Sequence, residues 1–146
     1  MYPHRAVTDC VTRHFVAARV HIKEKPETFK RFKVQWTPTI LISDADGTEH
    51  HRIVGFLPVE DFVAQLGLGL GKADFAHGKY ADAEQHFRRI VSEAPGAGAA
   101  PEAVYWAGVS AYKKTGSPEH LKAAGREIRE KYPTSEWAKK VTAWVS

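Results

Sequence analysis

Residues 32–42 read FKVQWTPTILI, and this stretch decides more about the fold than any other part of the chain. It is followed by DADG at residues 44–47 and VGF at residues 54–56. The apolar run that ends the first stretch is short enough for a buried strand. DADG predicts a turn, because Gly47 readily takes a positive φ. Residues 50–54 then supply the antiparallel partner strand.

The flanking sequence extends this unit with further helices and one further strand. The spacing of Val7, Cys10 and Val11 predicts a helix over residues 7–14. A strand is expected over residues 15–22. Proline suits the first turn of a helix, so helices are expected to begin at two prolines, the first helix short and the second with its apolar positions facing the sheet. These helices begin at Pro26, with Phe29 and Phe32 apolar, and at Pro58, with Phe62, Val63 and Leu66 apolar.

Together the Pro-Thr, Asp-x-Asp-Gly and Val-Gly-Phe motifs resemble the C-terminal half of a thioredoxin fold, over residues 7–66. The resemblance implies a cis Thr37–Pro38 bond, which is uncommon for X–Pro bonds in general. It also implies a groove that pairs with an extended polypeptide segment. The residues it assigns to the groove are Trp36, Thr37, Pro38, Gly55 and Phe56. A core position is the alternative for Trp36.

This chain departs from the thioredoxin pattern in its thiol chemistry. The Cys-x-x-Cys pair is missing, and residues 2–14 correspond to the body of the helix that would follow it. The strand that lies centrally in that family is missing as well. Three outcomes stay open. The strands on either side of the missing one could pair with each other. A second copy of the chain could cover the gap, giving a homodimer. Or the chain could be part of a longer protein.

Cys10 is the single cysteine, so one chain can form no intramolecular disulfide. It sits in the middle of a predicted helix beside apolar residues, which favours a buried structural thiol. Arg13 and His14 lie within one turn, and a cationic neighbour activates a thiol. A redox or intermolecular-disulfide role for Cys10 is therefore the alternative.

Beyond the glycine-rich residues 67–71 the sequence carries only helical signals. Helices are expected over residues 72–94 with a break near Gly78, over 101–114, over 119–131, and from Ser135, a plausible N-cap, through 145. This part resembles tetratricopeptide repeats. The aromatic residues there are expected between helices: Tyr105, Trp106, Trp137 and Trp144. The fold class is α/β: a truncated thioredoxin-like sheet with helices over residues 1–66, then an all-α tetratricopeptide-like tail over 67–146.

Composition excludes several classes of function. The net charge is +4, but the basic residues are dispersed among acidic ones, so nucleic-acid binding is not expected. No run is long and apolar enough for a membrane helix, and no signal sequence is recognised, so we expect a cytoplasmic protein. No cofactor motif is present. The adjacent His50 and His51 point to opposite faces of a strand, so no metal site is expected. The other helical histidines are expected to be solvated: His77, His86 and His120.

These observations favour a non-catalytic interaction module that binds peptide segments or partner proteins. The alternative is a thiol–disulfide oxidoreductase of the thioredoxin family, acting through Cys10 or through a Cys-x-x-Cys in a longer chain. A scaffold role in a larger envelope assembly is a third hypothesis, and it depends on the helical tail alone.

Overall fold

A computed structural model describes residues 4–146, and the element order follows the sequence analysis in outline. A helix and a short helical turn precede a β-hairpin, and only helices follow it. The elements are α1 Arg5–His14, α2 Pro26–Arg31, β1 Thr39–Ser43, β2 Glu49–Val54, α3 Val59–Ala76, α4 Tyr80–Glu93, α5 Ala100–Thr115, α6 Glu119–Lys131, α7 Glu136–Lys140 and a 3₁₀ turn at Thr142–Trp144. Within residues 4–146, none of the helices is long and apolar enough to cross a bilayer.

The hairpin confirms the predicted strand–turn–strand unit. Thr39 pairs with Val54 at its open end, and the register becomes irregular after Ile42, near the turn. The turn is closed by two backbone bonds, from Asp44 N to Thr48 O at 2.9 Å and from Gly47 N to Asp44 O at 3.0 Å. Gly47 has φ +91°, the left-handed conformation for which glycine is suited.

The strand predicted over residues 15–22 is wrong. This segment lies between α1 and α2 with no regular structure, and Val16 and Ile22 are exposed. Among the described residues the sheet has two strands, β1 and β2. An apolar, extended sequence forms a strand only where a neighbouring strand accepts its N–H and C=O groups. No such neighbour lies beside residues 15–22 in the part of the chain that the structure describes.

The glycine-rich residues lie inside α3, which runs unbroken through them from Val59 to Ala76. The boundary placed after residue 66 therefore lies inside one helix. These glycines serve packing: a Cβ at Gly69 would overlap the Ile42 side chain of β1, and a Cβ at Gly71 would overlap the Phe87 ring of α4. An isolated helix would be more stable without glycine, but here the neighbouring side chains pack too close for a larger residue.

The later helices confirm most of the predicted bounds, since α6 spans the expected residues 119–131 and α5 differs by one residue at each end. Gly116 is the C-cap of α5; it has φ +74° and donates its N–H to Tyr112 O. Ser135 caps α7 as predicted by accepting from Trp137 N. The last helix is shorter than predicted. It ends at Lys140 and is followed by a 3₁₀ turn.

Three apolar clusters form the core, and α3 contributes to two of them. The first joins α1, the hairpin and α3 through Val7, Ile42, Ile53, Phe62 and Leu66. The second joins α3, α4 and α5, with Leu68, Phe87 and Ile90 among many alanines. The third joins α5, α6 and the C-terminal turns, where Tyr105 stacks on Trp144 at a ring-centroid distance of 4.7 Å. The four aromatic residues therefore pack between helices as predicted.

Candidate functional site

The five residues assigned to the groove lie at one end of the hairpin, on two segments that a backbone hydrogen bond joins. The Thr37–Pro38 peptide bond is cis. Gly55 N donates to Pro38 O at 2.8 Å, directly beyond the last strand pair. Thr39 Oγ1 donates to Trp36 O at 2.6 Å and fixes the chain that enters β1. We call the surface formed by Trp36, Thr37, Pro38, Gly55 and Phe56 the Pro38 surface.

Two large aromatic side chains of the Pro38 surface are open to solvent. Trp36 is 69% exposed and Phe56 is 71% exposed. The core position considered for Trp36 is therefore excluded. Val54, which precedes Gly55 on β2, is exposed as well. Isolated exposed apolar residues are common, but here three of them occur close to the same end of the hairpin.

The segment that leads into the Pro38 surface is attached to the sheet by Arg52. Its guanidinium donates from Nη2 to Phe32 O at 2.6 Å and to Glu49 Oε2 at 2.8 Å. The same pairing lowers the pKa of the Glu49 carboxyl. A charged hydrogen bond to a backbone carbonyl is among the stronger tertiary contacts. It holds the loop after α2 against the hairpin, on the way to Trp36.

Cys10 lies in a different part of the molecule. It packs with the first apolar cluster and lines a cleft between α1, α3 and α4, together with Arg13 and Arg89. Burial raises the pKa of the Cys10 thiol, although the charges of Arg89 and Arg13 act in the opposite direction. Because the thiolate is the nucleophile, a raised pKa weakens the thiol at neutral pH. The described residues thus place Cys10 as a half-buried packing residue.

Two histidines, His50 and His77, contact the carboxylate of Asp44. His51 Nε2 lies 2.6 Å from Gln65 Oε1 of α3. His50 lies where the hairpin register is irregular, and its ring contacts that of His77 at the end of the same helix, so both His50 and His51 approach α3. His77 is exposed, as expected, but both it and His50 contact one carboxylate, which the sequence analysis did not anticipate. His50 Nε2 and His77 Nε2 lie 2.9 Å and 3.0 Å from Asp44 Oδ2. The two imidazoles lower the pKa of the Asp44 carboxyl, which is therefore an anion at neutral pH.

His86 was also expected to be solvated, and it instead lies 3.2 Å from Asp74. Sequence reasoning missed the Asp44, His50 and His77 cluster because its members come from three places: the hairpin turn, β2 and the end of α3. A usable signal was the Asp44 turn, which brings position 44 back beside β2. Nothing local indicated His77.

Comparison with known proteins supports the N-terminal part of this description. No curated protein and no solved structure shows a significant match to the chain. Residues 3–69 match a family model described as a thioredoxin-like domain, a span that contains α1, the hairpin, the Pro38 surface and the first half of α3. The N-terminal part of the chain is therefore thioredoxin-like.

Proposed function

We propose that the chain is a non-catalytic interaction module whose thioredoxin-like part binds an extended segment of a partner protein at the Pro38 surface. The observation that carries this proposal is the exposure of Trp36 and Phe56 on either side of the Gly55–Pro38 backbone bond. Exposed tryptophan and phenylalanine side chains offer large apolar area at small entropic cost. Such aromatic anchors supply much of the binding energy in protein interfaces.

The sheet supports binding of an extended segment in particular. It consists of two strands within residues 4–146, so one side of β1 has no strand beside it there. An added strand would satisfy the N–H and C=O groups along that side, and its alternate side chains would contact the neighbouring surface. Trp36 and Phe56 lie at the end of β1 and β2 where such a segment would continue past the hairpin.

The test uses peptides selected against the purified chain from a random display library, with binding measured by titration. Replacing Trp36 with alanine is expected to weaken the selected peptides about 10-fold to 30-fold, the loss typical of an aromatic anchor. Tryptophan emission provides a second readout. Trp36 is the exposed tryptophan, whereas Trp106, Trp137 and Trp144 are partly buried, so peptide binding should shift the emission to shorter wavelength.

Tyr112 supplies the matched control, because it is an exposed aromatic residue on α5, away from the Pro38 surface. Replacing Tyr112 with alanine should leave unchanged the affinity of peptides that bind at the Pro38 surface. Sedimentation velocity before the titration shows whether a second copy of the chain already occupies the sheet edge. Peptides that bind equally well to the Trp36→Ala variant, without an emission shift in the natural chain, would contradict the proposal.

We also propose that the helical part is a tetratricopeptide-like array that adds a second protein-binding surface. Support comes from two contacts with the same spacing. A Cβ at Gly71 would overlap Phe87, 16 positions later, and a Cβ at Gly108 would overlap Ala124, also 16 positions later. Small residues at repeated helix crossings are typical of such arrays. Selected peptides whose affinity falls with Tyr112→Ala and not with Trp36→Ala would identify the helical surface as the binding site.

A thiol–disulfide oxidoreductase is the competing function, and it requires a reactive thiolate. Because burial raises the pKa of the Cys10 thiol, we expect the chain to reduce insulin disulfides no faster than the dithiothreitol background, with Cys10→Ser giving the same rate. Turnover above background that disappears in Cys10→Ser would contradict a non-catalytic role. The insulin turbidity assay measures both rates directly.

A further inference from the structure

We propose that Asp44, His50 and His77 form a binding site for a divalent transition-metal ion of the Zn²⁺ class. The site joins the turn of the hairpin to the C-terminal end of α3. It is separate from the Pro38 surface, which lies at the other end of the same two strands. The five-residue strand β1 separates the two sites by roughly 15 Å at the usual rise per residue.

The geometry of the three ligand atoms fits one ion. Asp44, His50 and His77 each offer one ligand atom, and the three atoms all lie within 4.8 Å of one another. In a tetrahedral zinc site with bonds of about 2.0–2.1 Å, neighbouring ligand atoms are roughly 3.3–3.4 Å apart. The separations of 2.9 Å and 3.0 Å from the carboxylate oxygen to the two nitrogens need to open by only a few tenths of an ångström.

The two imidazoles are oriented as separate ligands of a common point. Their ring centroids are 5.3 Å apart and their planes cross at 81°. Each ring presents Nε2 to the same carboxylate oxygen. In a stacked pair the two rings would be parallel, with one ring lying over the face of the other. The perpendicular rings therefore reach one point from two different directions.

His50 gives the second, independent indication. Its side chain is 7% exposed, and its Nε2 makes no aligned hydrogen bond despite lying 2.9 Å from Asp44 Oδ2. A buried polar atom in a folded protein normally has a partner with good geometry, and an exception calls for an explanation such as an ion. His77 does make a hydrogen bond to the carboxylate, at 3.0 Å. A metal ion would satisfy both nitrogens at once, because coordination needs no shared proton.

The backbone around the ligands is well supported. Asp44 is fixed by the two turn hydrogen bonds, and His50 belongs to β2. His77 is the C-cap residue of α3, and its N–H bonds to Ala73 O at 3.1 Å. Ligands held on a hairpin and a long helix lose little conformational freedom when they bind an ion.

Ligand type selects the metal. Two imidazole nitrogens and one carboxylate suit zinc and neighbouring transition metals, whereas Ca²⁺ and Mg²⁺ take oxygen ligands. Three protein ligands leave a fourth tetrahedral position for water or for a side chain of a bound partner. His77 is more exposed than His50, so that position faces the solvent side of the cluster. The ion would thus fasten the hairpin turn to α3.

The experiment titrates Zn²⁺ into the full chain after treatment with a chelator, in competition with a chromophoric indicator. One tight equivalent per chain is expected. Removing a group that only supports a metal ligand costs about 10–100-fold in affinity, so removing a ligand in His77→Gln should cost at least about 100-fold. Co²⁺ gives a second readout, since a four-coordinate site with nitrogen ligands produces strong visible absorption that an octahedral aqueous ion lacks.

His86→Gln is the matched control, because His86 is another helical histidine beside an aspartate, Asp74, at 3.2 Å. Its zinc affinity and cobalt spectrum should equal those of the natural chain. Asp44→Asn keeps the size of the side chain and the turn hydrogen bonds, so it tests the site without a folding defect. Zinc binding that is absent, or equally tight in His77→Gln and in the natural chain, would overturn the proposal.

Discussion

Phe87→Ala is expected to lower the free energy of unfolding by about 3–5 kcal/mol, the range for removing a fully buried phenylalanine ring. Phe87 is 0% exposed and lies in the second cluster, on the face of α4 that meets α3. Its ring fills the space opposite Gly71, where α3 has no side chain of its own. Removing the ring would therefore leave a void bounded by backbone on one side.

The loss should fall at the upper end of that range because the surroundings cannot fill the void. The second cluster consists mostly of alanines, and Leu68 and Ile90 are its only large aliphatic members among the buried residues described. An alanine has no rotatable side chain that can move into a cavity. The cost of a large-to-small substitution rises with the cavity volume that remains after relaxation.

Chemical denaturation followed by far-ultraviolet circular dichroism gives the free energy for this variant. Phe56→Ala is the matched control, since it removes the same ring from a position that is 71% exposed. Surface substitutions usually change stability by no more than about 0.5 kcal/mol. A loss below about 1.5 kcal/mol in Phe87→Ala would mean that α3 and α4 close over the void, and the tight Gly71 contact would not be limiting.

Local signals in the sequence predicted the elements that depend on local physics. The hairpin follows from a short apolar run, a turn with glycine at the left-handed position, and a second run. The bounds of α6 follow from Pro118 before it and from the Tyr132–Pro133 pair after it. Ser135 was identified as a cap because its hydroxyl can accept from a nearby backbone N–H. In each case the interaction spans only a few residues.

The errors arose where a distant residue decides the local structure. Residues 15–22 have the composition of a strand, but strand formation depends on a neighbour that the described residues do not provide. Gly69 and Gly71 were expected at a boundary between two parts of the chain, yet they lie inside α3, where they allow Ile42 and Phe87 to approach the helix axis. Intrinsic helix propensity is a weak preference that packing overrides.

The candidate sites show the same difference between local interactions and contacts between distant residues. The residues of the Pro38 surface came from a family resemblance. In the structure a backbone hydrogen bond joins Gly55 to Pro38, and the Thr39 hydroxyl donates to Trp36 O. The position of Cys10 on an apolar helix face also followed from periodicity. The contact between Asp44 and His77 spans 33 positions and depends on where α3 ends. A helix that stopped at residue 66 would not have brought His77 to the hairpin.

The continuity of α3 has a consequence for how the chain unfolds. Phe62 and Leu66 belong to the first cluster, whereas Ala64 and Leu68 of the same helix belong to the second. Asp61, near the start of α3, accepts a hydrogen bond from Gly98 N at 2.9 Å, which attaches this end to the loop before α5. Two clusters that share one helix should lose their structure together, because unfolding of α3 removes packing residues from both.

Phe62→Ala is therefore expected to destabilise the helical part as well as the thioredoxin-like part. Phe62 is 2% exposed, so its truncation should cost about 3–5 kcal/mol. Native-state hydrogen exchange read by mass spectrometry should show faster exchange in the hairpin and in α4 and α5 alike. Ile22→Ala removes apolar atoms from an exposed position in the same part and should change neither. Faster exchange in the hairpin with full protection kept in α5 would instead mean two independently folding units, with α3 belonging to the helical one.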